Sequence, residues 1–208
     1  MSAAEKAEED SLERARVEGL DERALRRELL RREIALPADV PRKALLAARL
    51  VAPDPTPEQN LNFVRLAAAA GDAGALFNLG NGYCHGRGIP QDFAEAARLW
   101  RQAADKGDAK AEAALAGAYI FGQGVERDYD AALRLAQRAA DNGDAHGEGY
   151  LGLLYGNGWG IPQDNREAAR RWAKSAAQGD EYSIKCLREL AADGVPEAAA
   201  ALRRLRLA

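Results

Sequence analysis

Apolar positions between residues 73 and 107 fall into two helical stripes. Ala75, Leu79 and Tyr83 stand at i, i+4 and i+8, which predicts a short helix over about 73–85. Ala96, Trp100 and Ala103 form a second stripe, which predicts another helix ending at Gly107. The stretch between them, "GRGIPQD", carries helix punctuation. Gly86 suits the left-handed conformation that follows a helix end. Asp92 suits an N-cap, with Glu95 three residues later, where a capping-box partner sits. Asp108 is placed to cap the helix that follows.

The pattern recurs with a period of 36 residues and no insertion. Leu79, Leu115 and Leu151 share one register, as do Tyr83, Tyr119 and Tyr155. Gly86, Gly122 and Gly158 follow the same step, and so do Gly88, Gly124 and Gly160. Asp92, Asp128 and Asp164 recur, then Ala96, Ala132 and Ala168, then the Gly-Asp pairs beginning at Gly107, Gly143 and Gly179. Glu167 repeats the capping partner, whereas the middle unit has Ala131 there.

This register divides the chain. Residues 73–108, 109–144 and 145–180 are full repeats, and 56–72, ending in Gly71-Asp72, is a half repeat. Residues 181–208 form a degenerate repeat with a C-terminal capping helix: Leu187 and Gly194 keep register, but Ala191 stands where the tyrosine belongs. Residues 21–55 predict an N-terminal helical extension, with helices in "DERALRRELLRREIAL" and "PRKALLAARLV", and 1–20 a disordered or partly helical tail. Thr56, Pro57 and Gln59 have the chemistry of a helix start. A helix pair this short cannot bury its stripe alone, so stacking of pairs must close the core.

Composition agrees. Hydrophobic residues are 47% of the 208, aromatics only 6%, and much of the apolar share is alanine, which favours thin, close-packed helical layers. The net charge of −3 gives no electrostatic case for nucleic acid as a partner. Arg203, Arg204 and Arg206 read as a solvated helix face. No stretch has the apolar length to span a membrane. "MSAAEKAEED" is acidic and lacks the apolar core of a secretory signal, so the expected location is cytoplasmic.

The stretch "LGNGYCHGRGIPQDFAEAARLWRQAADKGDA" resembles a Sel-one-like repeat, a relative of the tetratricopeptide repeat (TPR) with a longer inter-helix loop. "LGLLYGNGWGIPQDNREAARRWAKSAAQGD" matches as well; the middle unit departs at Ala116, in place of glycine, and Ala136, in place of tryptophan. The resemblance covers about residues 56–195. It implies an all-α, right-handed α/α solenoid of TPR-like helix pairs, which acts as a protein–protein adaptor. Some secreted relatives with a cysteine pair in each repeat are associated with penicillin binding. Cys84 and Cys186 do not make such pairs, so that activity is not carried over.

The residues that look catalytic are explained by the repeat. The glycines of "GNGYCHGRGIPQD" follow a helix instead of opening one after a strand, and no lysine follows, so they do not make a phosphate loop. His85 and His146 lie in different units without clustered cysteines or carboxylates, which is not a zinc ligand set. Cys84 and Cys186 should stand about 25 Å apart across the packed layers, beyond disulfide reach. Adjacent helix residues such as Cys84 and His85 point about 100° apart, a poor nucleophile–base pair. The expectation is a non-enzyme with no cofactor and no metal.

A binding surface is sought where the copies differ. The stripe 78, 81, 85 and its equivalents reads Asn78, Asn81, His85, then Ala114, Gly117, Phe121, then Tyr150, Leu153, Asn157. On a concave face, the asparagines would bond a peptide backbone, and Phe121, Tyr150 and Leu153 would take apolar anchors. The other reading is that Phe121 and Tyr150 fill gaps between repeats. Trp159 occupies the middle of G-x-G, where the other copies have Arg87 and Gln123. It is either an exposed hot spot, or it folds over the loop or packs on the last repeat. Trp100 and Trp172 read as core.

The function expected is a protein- or peptide-binding module with no nucleic-acid or membrane partner. One specific form is a bacterial immunity or regulatory protein that neutralises a cognate effector. A small-ligand binder or hydrolase is the alternative of another class, and no catalytic constellation supports it.

Overall fold

The computed structural model describes residues 64–65 and 67–207. The predicted tail, the 21–55 extension and the helix start at Thr56–Gln59 lie outside the described residues. The chain divides into two compact units, 1–79 and 80–208, and each is treated by itself. In the first, Ala67 and Ala68 are buried and Asp72 accepts the backbone N–H of Ala75 at 2.7 Å.

The described residues include no strand; they hold helical residues at 64–65 and 67–69, and eight helices after Asp72. They are α1 (Ala73–His85), α2 (Phe93–Ala104), α3 (Ala109–Phe121), α4 (Tyr129–Asp141), α5 (Ala145–Asn157), α6 (Asn165–Ala176), α7 (Glu181–Ala192) and α8 (Pro196–Leu205). Each in turn packs on the next from α2 to α8, the nearest-neighbour stacking of an α/α solenoid.

The punctuation works as the sequence implies. Asp92, Asp108, Asp128, Asp144, Asp164 and Asp180 each cap the helix that follows through a side-chain oxygen. Gly122 and Gly158 close α3 and α5 in the left-handed region, at φ 68° each, and Gly86 follows α1 at φ 65°. One detail differs. Glu95 and Glu167 do not turn back to complete capping boxes. The N–H groups of Asp92, Asp128 and Asp164 already donate to the carbonyls of Tyr83, Tyr119 and Tyr155. Glu95 instead takes two hydrogen bonds from Arg98, and Glu167 takes them from Arg170 and Arg171.

In the loops of the second and third full repeats, the second glycine joins repeats. A Cβ at Gly124 would lie 2.0 Å from the carbonyl oxygen of Phe93, at the start of α2. One at Gly160 would lie 2.8 Å from Tyr129 Cβ, at the start of α4. Only glycine lets the loop rest on the preceding repeat's helix, and both glycines are also left-handed, at φ 71° and 70°.

Inside the repeats, Trp100 and Trp172 are core residues, each 5% exposed. Trp172 Nε1 donates to the Gly149 carbonyl at 3.1 Å. A Cβ at Gly80 would lie 2.6 Å from Trp100, and one at Gly152 would lie 2.5 Å from Trp172. In the middle repeat the same two places hold Ala116 and Ala136, both fully buried.

Two carboxylates enter the core without being foreshadowed by the apolar stripes. Glu112 and Glu148, one repeat apart, are 1% and 6% exposed. Glu112 pairs with Arg138. Glu148 pairs with Lys174 at 2.9 Å and Arg171 at 3.2 Å. Arg138 and Lys174 are themselves one repeat apart, so the same pairing links α3 to α4 and α5 to α6. A carboxylate this buried requires such a partner.

Candidate functional site

Within the second unit, the first helices are the closer layer between the repeats 109–144 and 145–180; past them the order reverses, and α6 packs on α8 more than α5 packs on α7. Helices α3 and α5 pack directly on each other, whereas the second helices α4 and α6 make little contact. Residues facing away from the core on α3 and α5 therefore converge, and those on α4 and α6 are splayed from each other.

The candidate residues separate into two groups on this layer. His85, Phe121 and Asn157 are exposed, one at the end of each first helix. Phe121 is 48% exposed, one of two large apolar side chains so exposed among the described residues; Tyr182 is the other. His85 and Asn157 are held alike: His85 Nδ1 shares a 2.9 Å hydrogen bond with the Asn81 carbonyl, and Asn157 Nδ2 donates to the Leu153 carbonyl at 2.8 Å. Asn81 is half-buried. Asn78 is exposed, and it belongs to the first unit.

Tyr150, Leu153 and Trp159 are not available as drawn from the sequence. Leu153 is 8% exposed and packs with Ile120, Ala132 and Leu154, so it is core. The Tyr150 ring lies across α3: a Cβ at Gly117 would be 2.7 Å from its hydroxyl. Tyr150 fills the space that Gly117 leaves, which is the gap-filling reading. Burial pushes its phenol above the ordinary value, helped by the carboxylates of Asp144 and Asp180. Trp159 is half-buried and stacks on Tyr129, ring centroids 5.3 Å apart and 15° from parallel. It packs back onto the preceding repeat, where Tyr129 opens α4, and not forward onto the last one. It does not stand free as a hot spot.

Neither thiol is activated: at Cys186 the Tyr182 side chain and Lys185 favour the thiolate, but burial outweighs them. Cys84 and Cys186 are both free. Burial raises the pKa of each above the usual thiol value, so both are protonated at neutral pH. Among the described residues no three metal-ligating side chains come together, and no helix is long and apolar enough to cross a membrane.

Stacked helix pairs with a converging first-helix layer define an α/α-solenoid repeat protein. A family model described as Sel1 repeat matches residues 73–108, 109–144 and 145–181, over half of the chain, and the chain belongs to this family. Among solved structures it is similar to a Sel1 repeat protein from Oxalobacter formigenes, at 29% identity and a TM-score of 0.63, over 79% of this chain and 70% of that one. It is also similar to a protective antigen of uropathogenic Escherichia coli that displays an SLR fold, at 26% identity and a TM-score of 0.66. That alignment covers 88% of this chain and spans only 40% of the antigen. No curated protein matches. Sel1 repeat proteins are generally protein-interaction scaffolds and not catalysts.

Proposed function

We propose that the protein is a non-catalytic adaptor that binds a protein or peptide partner on the concave, first-helix side of the solenoid. The observation that carries this reading is that His85, Phe121 and Asn157 are exposed at one register position, Phe121 and Asn157 on the directly packed helices α3 and α5, with an apolar ring among them. Phe121 supplies a desolvating anchor. His85 and Asn157, restrained by their own helices, supply polar contacts at its sides. Asn81 borders His85. Fixed side chains with little rotamer freedom left to lose suit recognition.

The test is capture of the native partner by wild type, Phe121→Asp and Tyr182→Asp. The Phe121 variant is expected to lose the partner by tenfold or more, while the Tyr182 variant retains it, with unchanged far-UV spectra. Equal capture by all three would remove the first-helix face from the proposal. Turnover of a small-molecule library by the purified protein would overturn the adaptor reading.

A further inference from the structure

The outer side carries a second feature that differs between copies. Helices α2 and α4 leave a cleft of about 290 Å³ between them, lined by Arg101 and Ala104 of α2 with its C-cap Asp105, Leu115 and Tyr119 of α3, and Ala131, Arg134, Leu135 and Arg138 of α4. Its apolar lining includes Ala104, Leu115 and Leu135, and its charged rim holds three guanidiniums, Arg101, Arg134 and Arg138. Arg138 is already committed to buried Glu112. Arg101 is held in place by a 3.0 Å hydrogen bond to the Tyr119 hydroxyl, a neutral partner. Arg134 has no ion-pair partner among the described residues, although its counterparts do. Arg98 pairs with Glu95 at 2.6 Å and Arg170 with Glu167 at 3.4 Å, each an i,i+3 pair. In the middle repeat that glutamate is Ala131. Arg101 and Arg134 thus face a single exposed carboxylate in the lining, Asp105.

The corresponding place one repeat on lacks this excess. Gln137 replaces Arg101, and Glu167 replaces Ala131. Glu148 and Glu167 there take up Arg171, Lys174 and Arg170. The cationic cleft of the α2/α4 junction is therefore not reproduced at α4/α6 and is not a property of the repeat.

We infer that this cleft is a second recognition site, for an acidic peptide segment in which an apolar side chain is flanked by carboxylates. The apolar residue rests on Leu115 and Leu135. The carboxylates take charge-assisted hydrogen bonds from Arg101 and Arg134, whose planar donors match carboxylate geometry.

The test is fluorescence anisotropy with a short labelled peptide centred on Glu-Leu-Glu, beside Gln-Leu-Gln and a single-stranded RNA. Arg101→Gln and Ala131→Glu each install the residue that the neighbouring repeat carries at that register. Cooperative unfolding at a midpoint close to that of wild type or above it would certify the fold. Expected is saturable, salt-sensitive binding of the acidic peptide, weakened about tenfold by either substitution and absent for Gln-Leu-Gln. No binding by wild type, binding as tight as wild type by both variants, or tighter binding of the RNA would overturn the site. Phe121→Asp should leave this binding unchanged, which separates its failure from that of the first-helix proposal.

Discussion

In the flanking repeats a bare glycine faces an indole: Gly80 lies against Trp100, and Gly152 against Trp172. The middle repeat places Ala116 and Ala136 there. The tryptophan has lost most of its volume while the glycine has gained a methyl group. Leu133, standing where the other copies have Ala97 and Ala169, packs against Ala116 and Ala136 and fills part of what remains. The repeat is thus preserved as a set of matched volumes and not as a set of residues. Glycine at the first position is required only because tryptophan occupies the second.

Three sets of substitutions break or sharpen this contrast. The largest effect is expected at Trp172. Truncation to alanine leaves a cavity under α5, orphans the hydrogen bond to Gly149, and should cost about 3–5 kcal/mol. Gly152→Ala alone should cost about 1–3 kcal/mol by overpacking. The double variant, which copies the middle repeat, should be clearly more stable than the sum of the two losses. Urea unfolding of all four proteins measures that coupling, and strict additivity would dissolve the pairing argument.

Next in size is Ala136→Trp, which forces an indole onto Ala116. It should destabilise by about 1–3 kcal/mol, with recovery when Ala116→Gly and Leu133→Ala are added. A neutral Ala136→Trp would mean that the middle repeat keeps an open space. The smallest effect is a gain. Ala131→Glu should form the i,i+3 pair with Arg134 that the other repeats have, worth about 0.2–0.5 kcal/mol. The gain should fade at high salt and vanish in an Arg134→Ala background.

Most of the fold was legible because its signals are local and repeated. Caps at Asp92, Asp128 and Asp164, left-handed glycines and the 36-residue register each appear three times in the sequence. The candidate site was less legible. Variation between copies marks exposure at Phe121, His85 and Asn157, whose side chains are exposed. For Tyr150 and Trp159 the variation is compensation across repeats. Tyr150 is large because Gly117 is small, and Trp159 has Tyr129 to stack on. A single register column cannot reveal this, because the compensating residue stands in another column of the preceding copy. Glu112 and Glu148 were missed because a charged residue in a helix's first turn looks like surface. The available signal was a basic residue 26 positions later in both copies, Arg138 and Lys174.

The resting of Gly124 and Gly160 on the helix starts before them has a consequence for how such a chain changes length. Each junction is made from one loop and one helix start, and both travel within the same 36 residues. An in-frame duplication would carry its own loop and its own seat for the next one, so the new seam would be complete wherever the copy landed. Growth or loss by whole units then needs no simultaneous repair elsewhere, whereas an insertion of any other length would leave a glycine over the wrong backbone. Size is the easily altered property of this architecture, and the side chains on its faces are left to diverge afterwards.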